Sequence, residues 1–205
     1  MEPIRAIRGP VVPLVLDDID TDQVLAARYM KVTDREGLGQ HCFANWRYAA
    51  DGSPRPDFIL NRPGMVGRPL LLAGANFGSG SSREHAVWAL RSCGFQAVLA
   101  RSFADIFHSN ALKNGLLPVP LPADVHARLA ARLAADPDAE VTVDLERERV
   151  ELPDDPAVPL TLEPFVRRLL LTGTDELGYL LSQQEAVTAF EARHPSPVRT
   201  TAPAG

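Results

Sequence analysis

Short apolar runs and helical stripes take turns along the first part of this chain. VVPLVL, from Val11 to Leu16, reads as a strand, and Pro13, with no N–H to donate, predicts an edge or a bulge there. PLLLA, Pro69 to Ala73, is a second continuous apolar run. In REHAVWALRSCG, which follows, Ala86, Ala89, Leu90 and Cys93 share one helical face and Gly94 supplies a stop. QAVLA then reads as a strand, SFADIFHSNALKNG as a helix ending at Gly115, and LLPVPL as another strand. Strands alternating with helices predict parallel pairing through right-handed crossovers, and so an α/β fold.

Beyond that point the pattern changes. ADVHARLAARLAAD is an amphipathic, Ala-rich helix, and EVTVDLERERVEL has two β-rich halves around ERE, the mark of a hairpin. EPFVRRLLLTG and LSQQEAVTAFEAR read as C-terminal helices joined by a turn at TDELG. Lys31 to Gly64, rich in Gly, Asp, Asn, Pro and aromatics, holds no period, and irregular stretches of that length are usually functional loops or mobile segments. The ending HPSPVRTTAPAG has the composition of a disordered tail. With no internal repeat and no linker, residues 1–194 are expected to form a single domain and 195–205 a disordered end.

At 205 residues and 45% hydrophobic, the chain can bury a substantial core. Its 21 Lys plus Arg against 26 Asp plus Glu give a net charge of −5 and no basic stripe, which argues against nucleic acid or an anionic membrane as partner. The start, MEPIRAIRGPVVPLVLDD, lacks the apolar core and cleavage site of a signal peptide, so a cytoplasmic location is expected. Cys42 and Cys93 are far apart in sequence without C-x-x-C spacing, and neither a disulfide framework nor a zinc or iron–sulfur ligand set is encoded. Buried free thiols are the expectation.

The densest chemistry is GANFGSGSSREHA, Gly74 to Ala86, between an apolar strand and a helix. It is not G-x-G-x-x-G, because Arg83 stands where the third glycine belongs, and it is neither a P-loop nor a G-x-S-x-G elbow. A turn in this position delivers backbone N–H groups to a helix start, where the dipole favours negative charge. Ser81 to Glu84 also matches the S-x-x-E capping box, in which Ser81 bonds the N–H of Glu84 and the carboxylate reaches back. A cap accounts for Ser81 and Glu84. Three glycines, a second serine and an inward-facing arginine at an already positive helix end point instead to a bound anion.

NFGSGSSREHA, preceded by DIDTDQVLAARYM and followed by RSFADIFHSNALKNGLLPV, resembles the swivelling domain of the aconitase superfamily. The likeness is greatest to bacterial small subunits of 3-isopropylmalate dehydratase, and runs from about Arg8 to Arg193 with HCFANWRY and TGTDELGYLLSQQEAVTAFEA included. The resemblance implies a three-layer β/β/α swivelling domain with a partly parallel sheet and a C-terminal helical extension. It implies a hydro-lyase half-enzyme that, in a heterodimer with a large subunit, interconverts 2-isopropylmalate and 3-isopropylmalate through a dehydrated alkene in leucine biosynthesis. The [4Fe-4S] cluster of such enzymes lies in the large subunit, so no cofactor is expected in this chain.

Carried over residue by residue, the resemblance makes Ser81 the base that removes a proton beside a carboxylate, and Arg83 the cation that stabilises its alkoxide and grips a substrate carboxylate. Ser82, Gly80 and nearby N–H groups would complete the anion pocket, Asp22 would orient the site or hold an arginine, and Arg28 would meet the remote carboxylate. For Asp20 the resemblance competes evenly with turn capping, and Arg28 with a solvated surface arginine. The family's usual proline is Ala26 here, which would loosen the loop, and Ser79 stands where relatives often have Cys. His85 is expected to be a hydrogen-bonded structural histidine, while His41 and His108 take no family role. Two further readings stay open: the same chemistry on homoaconitate, citraconate or a dimethylmalate, and a stand-alone module that holds a phosphate or dicarboxylate at the loop.

Overall fold

The structure, a computed structural model, describes residues 2–30 and 37–194. The tail expected to be disordered, 195–205, and Lys31–Glu36 of the irregular stretch lie outside the described residues. Seven strands form one sheet: β1 (Ala6–Pro13), β2 (Leu70–Leu72), β3 (Ala97–Ala100), β4 (Leu117–Pro120), β5 (Glu140–Asp144), β6 (Arg149–Leu152) and β7 (Asp155–Pro159). Their order is β4-β3-β2-β1-β5-β6-β7, parallel from β1 to β4 and antiparallel from β1 to β7. The expected strand–helix alternation and the expected hairpin are therefore both present, in a partly parallel sheet.

The strand expected at Val11–Leu16, with an edge or a bulge at Pro13, is corrected in its bounds and in the edge position. The strand begins earlier, at Ala6, and it occupies the middle of the sheet. Its prolines are tolerated because pairing changes hands along it. Ala6–Pro10 pair with Asp144–Glu140 of β5 on one side, and Val11–Pro13 pair with Leu70–Leu72 of β2 on the other. Each half of β1 thus meets a single partner, which is the local condition under which a missing N–H costs little.

Neighbouring strand residues point to opposite faces, and both faces are covered. Val12, Leu71 and Val98 enter one core with α3 (His85–Ser92), α4 (Asp105–Lys113) and the short helices α1 (Thr21–Val24) and α2 (Ala44–Arg47). Val11, Leu70, Leu72, Ala97 and Leu99 enter a second core with α5 (Ala123–Ala135), inward residues of β5 and β6, and Leu170 of α6 (Pro164–Thr172). Burial on both sides explains why these strands read as unbroken apolar runs rather than alternating ones. The second core draws on both halves of the sheet, so the sheet is curled.

Two elements depart from the sequence pattern. TDELG is not a turn: Asp175 accepts from Gly178 N at 2.7 Å and starts α7 (Glu176–Ser182), which runs into α8 (Gln184–Arg193). Asp155–Pro159 is an additional edge strand, with Pro156 and Pro159 at the margin where prolines are accepted. Residues 37–64, without period, pack through Phe43, Trp46 and Phe58, whose ring centroids are 5.7–6.1 Å apart, and through Asn61, whose side chain donates to Arg47 O and Arg55 O.

Candidate active site

The parallel strands β1, β2 and β3 end on the same side, and the loops that leave them interlock. Gly74 N donates to Leu16 O at 2.9 Å, Asp18 N to Ala75 O at 2.9 Å, Gly78 N to Ile19 O at 2.7 Å and Thr21 N to Ser79 O at 2.8 Å. The loop after β3 holds the other flank: Asn76 N donates to Ser102 Oγ, Phe77 N to Ser102 O and Ala104 N to Phe77 O. Asp17 accepts from Ala75 N at 2.8 Å and from Arg101 Nη2 at 2.6 Å, and the Arg101 guanidinium, aided by that N–H, holds its carboxyl below the usual carboxylate range. The glycine-serine loop is therefore fixed by main-chain bonds on both sides.

Two glycines make this path feasible. Gly78, at φ +80°, lies against the Phe107 ring, and Gly80, at φ +99°, faces Thr21. Both are in the left-handed region that side chains disfavour.

The capping box that the sequence offered as an alternative at Ser81–Glu84 is not formed. Helix α3 begins at His85 with Glu84 as its N-cap and no side-chain cap bond. Ser81 Oγ makes only a long contact, 3.4 Å, with Arg83 N, while its backbone N–H donates to Thr21 Oγ1 at 2.9 Å. Asn110 Nδ2 holds Ser82 O at 2.9 Å, and Asn114, itself bonded to Trp88 Nε1 at 2.9 Å, holds the Glu84 carboxylate at 3.2 Å. These bonds from α4 and from Thr21 take the groups a capping box would use, and leave the Ser81 hydroxyl half-exposed and weakly engaged.

A capping box does form one loop away. Asp20 Oδ1 accepts from Gln23 N at 2.7 Å and Gln23 Oε1 from Asp20 N at 2.9 Å, which gives Asp20 the capping role. Asp22 is exposed in the first turn of α1, and Thr21, between them, is buried against the Ser81 backbone.

Arg83 corrects another expectation, since it is exposed rather than inward-facing. Its Nη1 reaches Met30 Sδ at 3.3 Å, across the gap to the loop after α1. Arg28, two residues from Met30, bonds Asn45 Oδ1 at 2.6 Å, lies 4.7 Å from the Tyr29 ring centroid, and lines an open cavity of 670 Å³ with His41, Tyr48 and Arg55. Among the described residues, no carboxylate lines that cavity. Ser81, Ser82, Gly80 and Arg83 thus share one loop beside Asp22, whereas Arg28 is joined to them only through Met30. Among the described residues neither arginine is paired with a carboxylate.

The His85 ring lies tilted by 49° against Trp88, 4.7 Å between centroids, and among the described residues its buried Nδ1 has no hydrogen-bond partner, so the expected hydrogen-bonded histidine is not observed at that atom. Thr21, Asn110, Asn114 and Met30 are the residues that sequence reading missed. The asparagines carried one signal, a four-residue spacing that puts both on the same face of α4.

No helix among the described residues is long and apolar enough to cross a membrane. Residues 1–124 match the family model described as the aconitase C-terminal domain. The chain is similar to the 3-isopropylmalate dehydratase small subunit of Chloroflexus aurantiacus, with 54% identity over 200 residues covering 98% of this chain and 100% of that one. It is 50% identical to the Roseiflexus sp. protein of the same name over 98% of this chain and 99% of the relative. It is 53% identical to that of Anaeromyxobacter dehalogenans over 93% and 98% respectively. Among solved structures, the crystal structure of 3-isopropylmalate dehydratase from Methanocaldococcus jannaschii superposes with a TM-score of 0.65 at 28% identity, over 90% of this chain and 99% of that one.

Proposed function

The chain belongs to the family of 3-isopropylmalate dehydratase small subunits, within the aconitase superfamily, and from that premise we propose how its own residues take part in the hydro-lyase reaction. In the proposed reaction, 2-isopropylmalate and 3-isopropylmalate interconvert by loss and return of water, in the cytoplasm, as a step of leucine biosynthesis. Ser81 takes the proton beside a substrate carboxylate and Arg83 grips a carboxylate through its planar fork.

One observation carries the reading. The Ser81 backbone is fixed by Thr21 while its hydroxyl has only a 3.4 Å contact, and it stands just ahead of α3 beside an arginine with no carboxylate partner among the described residues. A serine hydroxyl is too weak an acid to act as a base unaided. The alkoxide requires stabilisation by N–H groups, the helix dipole and a cation; in this reading the Arg83 N–H, 3.4 Å from the oxygen, the start of α3 at His85 and the Arg83 guanidinium supply them. Ser82 and the Gly80 backbone extend the anion pocket, Asp22 orients its rim, and Arg28 takes the far carboxylate from across Met30.

The remaining chemistry comes from a partner large subunit. Two cysteines in the whole sequence are too few to ligate a [4Fe-4S] cluster. When bound in the partner, the cluster supplies a Lewis acid for the substrate hydroxyl.

The test is reconstitution with a matching large subunit, following the absorbance of the alkene formed from 3-isopropylmalate. Ser81→Ala is expected to lower turnover by about 10²-fold or more and to leave the unfolding midpoint near wild type, because the hydroxyl has no strong bond to lose. Full turnover in Ser81→Ala removes the base assignment. A complex that consumes a related hydroxy acid but not isopropylmalate removes the substrate assignment and keeps the chemistry.

A further inference from the structure

We propose that Cys42 and Cys93 form a redox-modification site, closing to an intramolecular disulfide that ties residues 37–48 to the C-terminal end of α3. The inference goes beyond the hydro-lyase reading, since neither cysteine belongs to the candidate active site.

The backbone builds the juxtaposition. Gly39 lies so near the last turn of α3 that a Cβ there would meet Ser92 O and come within 2.7 Å of Cys93 N, and Gly39 N donates to Ser92 Oγ at 3.0 Å. Cys42 follows directly, its N–H bonded to Gly39 O at 3.2 Å, and its side chain is wholly buried. Cys93 caps α3, its N–H bonded to Ala89 O at 2.8 Å; it is half-buried and precedes the exposed Gly94. Cys93 packs against the buried cluster that contains Cys42, and each thiol shifts the acidity of the other. Two residues 51 positions apart are thereby brought into one packed cluster, which their sequence spacing gave no reason to expect.

Their environments divide the labour. The neighbouring Cys42 thiol, together with the charge of Arg47, lowers the Cys93 thiol to about 7, which favours its thiolate relative to an ordinary cysteine. Burial, and the neighbouring Cys93, push the Cys42 thiol well above its ordinary value. Cys93 is the more accessible and more ionised sulfur, and it reacts first; Cys42 resolves.

With a small organic disulfide such as oxidised glutathione as oxidant, the step balances. The Cys93 thiolate attacks one sulfur of the small disulfide, whose S–S bond breaks and whose other half leaves as a thiolate. Cys42 then gives its proton to that leaving thiolate, attacks Cys93 Sγ and displaces the second small thiolate, which takes up a proton from solvent. Two cysteine thiols are oxidised to one cystine, and one small disulfide is reduced to two thiols.

The test uses the purified, reduced full chain in buffers of graded oxidised-to-reduced glutathione ratio. Samples are quenched in acid, unfolded and alkylated, then read by intact mass and peptide mapping. Both thiols are expected to disappear together, the titre falling from two per chain to none, in a monomer lighter by two hydrogens with Cys42 and Cys93 in one cross-linked peptide. Cys42→Ser is expected to stop at a mixed disulfide on Cys93, and Cys93→Ser to leave the buried Cys42 unreacted in the folded chain. A stable mixed disulfide on wild-type Cys93 with Cys42 still alkylated, an intermolecular dimer, or two free thiols at every ratio overturns the proposal. The wild-type map decides the question even if a variant fails to fold.

Discussion

Gly78→Ala is the sharpest test of how the glycine-serine loop is held. The new methyl group would overlap the Phe107 ring, meeting Cγ and lying 2.5 Å from both Cβ and Cδ2. Phe107 is 3% exposed, packed edge-on to Phe77 at 5.1 Å and parallel to Phe103 at 6.4 Å, so its ring has no free side to move into. Placing a side chain at φ +80° costs about 1–2 kcal/mol, and overpacking a tight core adds about 1–3 kcal/mol. A loss of about 2–5 kcal/mol follows, read as a lower urea midpoint at unchanged slope. Phe107→Leu in the same chain should relieve the overlap, making the double variant more stable than the sum of the two single losses. Gly80→Ala is the control: its Cβ would lie 3.3 Å from Thr21 Oγ1, so it carries the backbone strain with a much smaller clash. A Gly78→Ala midpoint equal to wild type, or strict additivity with Phe107→Leu, refutes the packing argument.

Arg68 is buried and donates to Gly64 O, Val11 O and Pro137 O, besides pairing with Asp138, whose side chain is 86% exposed. Arg68→Met should therefore cost about 3 kcal/mol or more in urea unfolding through stranded carbonyls, and Asp138→Ala far less; equal losses would show that the ion pair dominates. Ala26 sits at φ −62°, ψ 141° after Leu25 in an extended conformation, so the loop already follows a proline path. Ala26→Pro is expected to raise stability by about 0.4–1 kcal/mol by narrowing the unfolded ensemble; a lower melting temperature would contradict this. His108, by burial, and His41, by burial and the Arg28 charge, both have their pKa lowered below 6.5. The unfolded chain therefore binds their protons more readily, so stability is complete above about pH 6.5 and falls as pH drops below it. Asp17, Asp51 and Asp124, depressed from 3.8, add their losses only at more acidic pH. Urea midpoints in His41→Gln and His108→Gln should be flatter between about pH 7 and pH 5; an unchanged slope refutes the assignment.

Periodicity made the α/β core legible because the strands of the parallel half are buried on both faces, and such strands announce themselves as LLL and AVLA. It failed at β1 and β7 because prolines signal the pairing of one residue's N–H and say nothing about where a whole strand stands in a sheet. At the site, GSGSSRE located the loop, but its local grammar pointed to a cap at Ser81 that tertiary bonds override. Thr21, Asn110 and Asn114 arrive from other elements, and nothing within the loop encodes their arrival. The same holds for Cys42 and Cys93, whose meeting is created by one glycine against one helix end.

The divided pairing of β1 also bears on how the chain comes to be folded. This strand is synthesised before both of its partners, so Ala6–Pro10 wait for β5 and Val11–Pro13 for β2, in different parts of the chain. An apolar strand that leaves the ribosome ahead of both its partners is thus fully paired only late, with a large loop to close before either half is satisfied. Until β2 and β5 have both emerged, Ile7, Val11 and Val12, all buried in the finished fold, remain uncovered on a nascent chain, and that interval is where a chaperone would be expected to engage it.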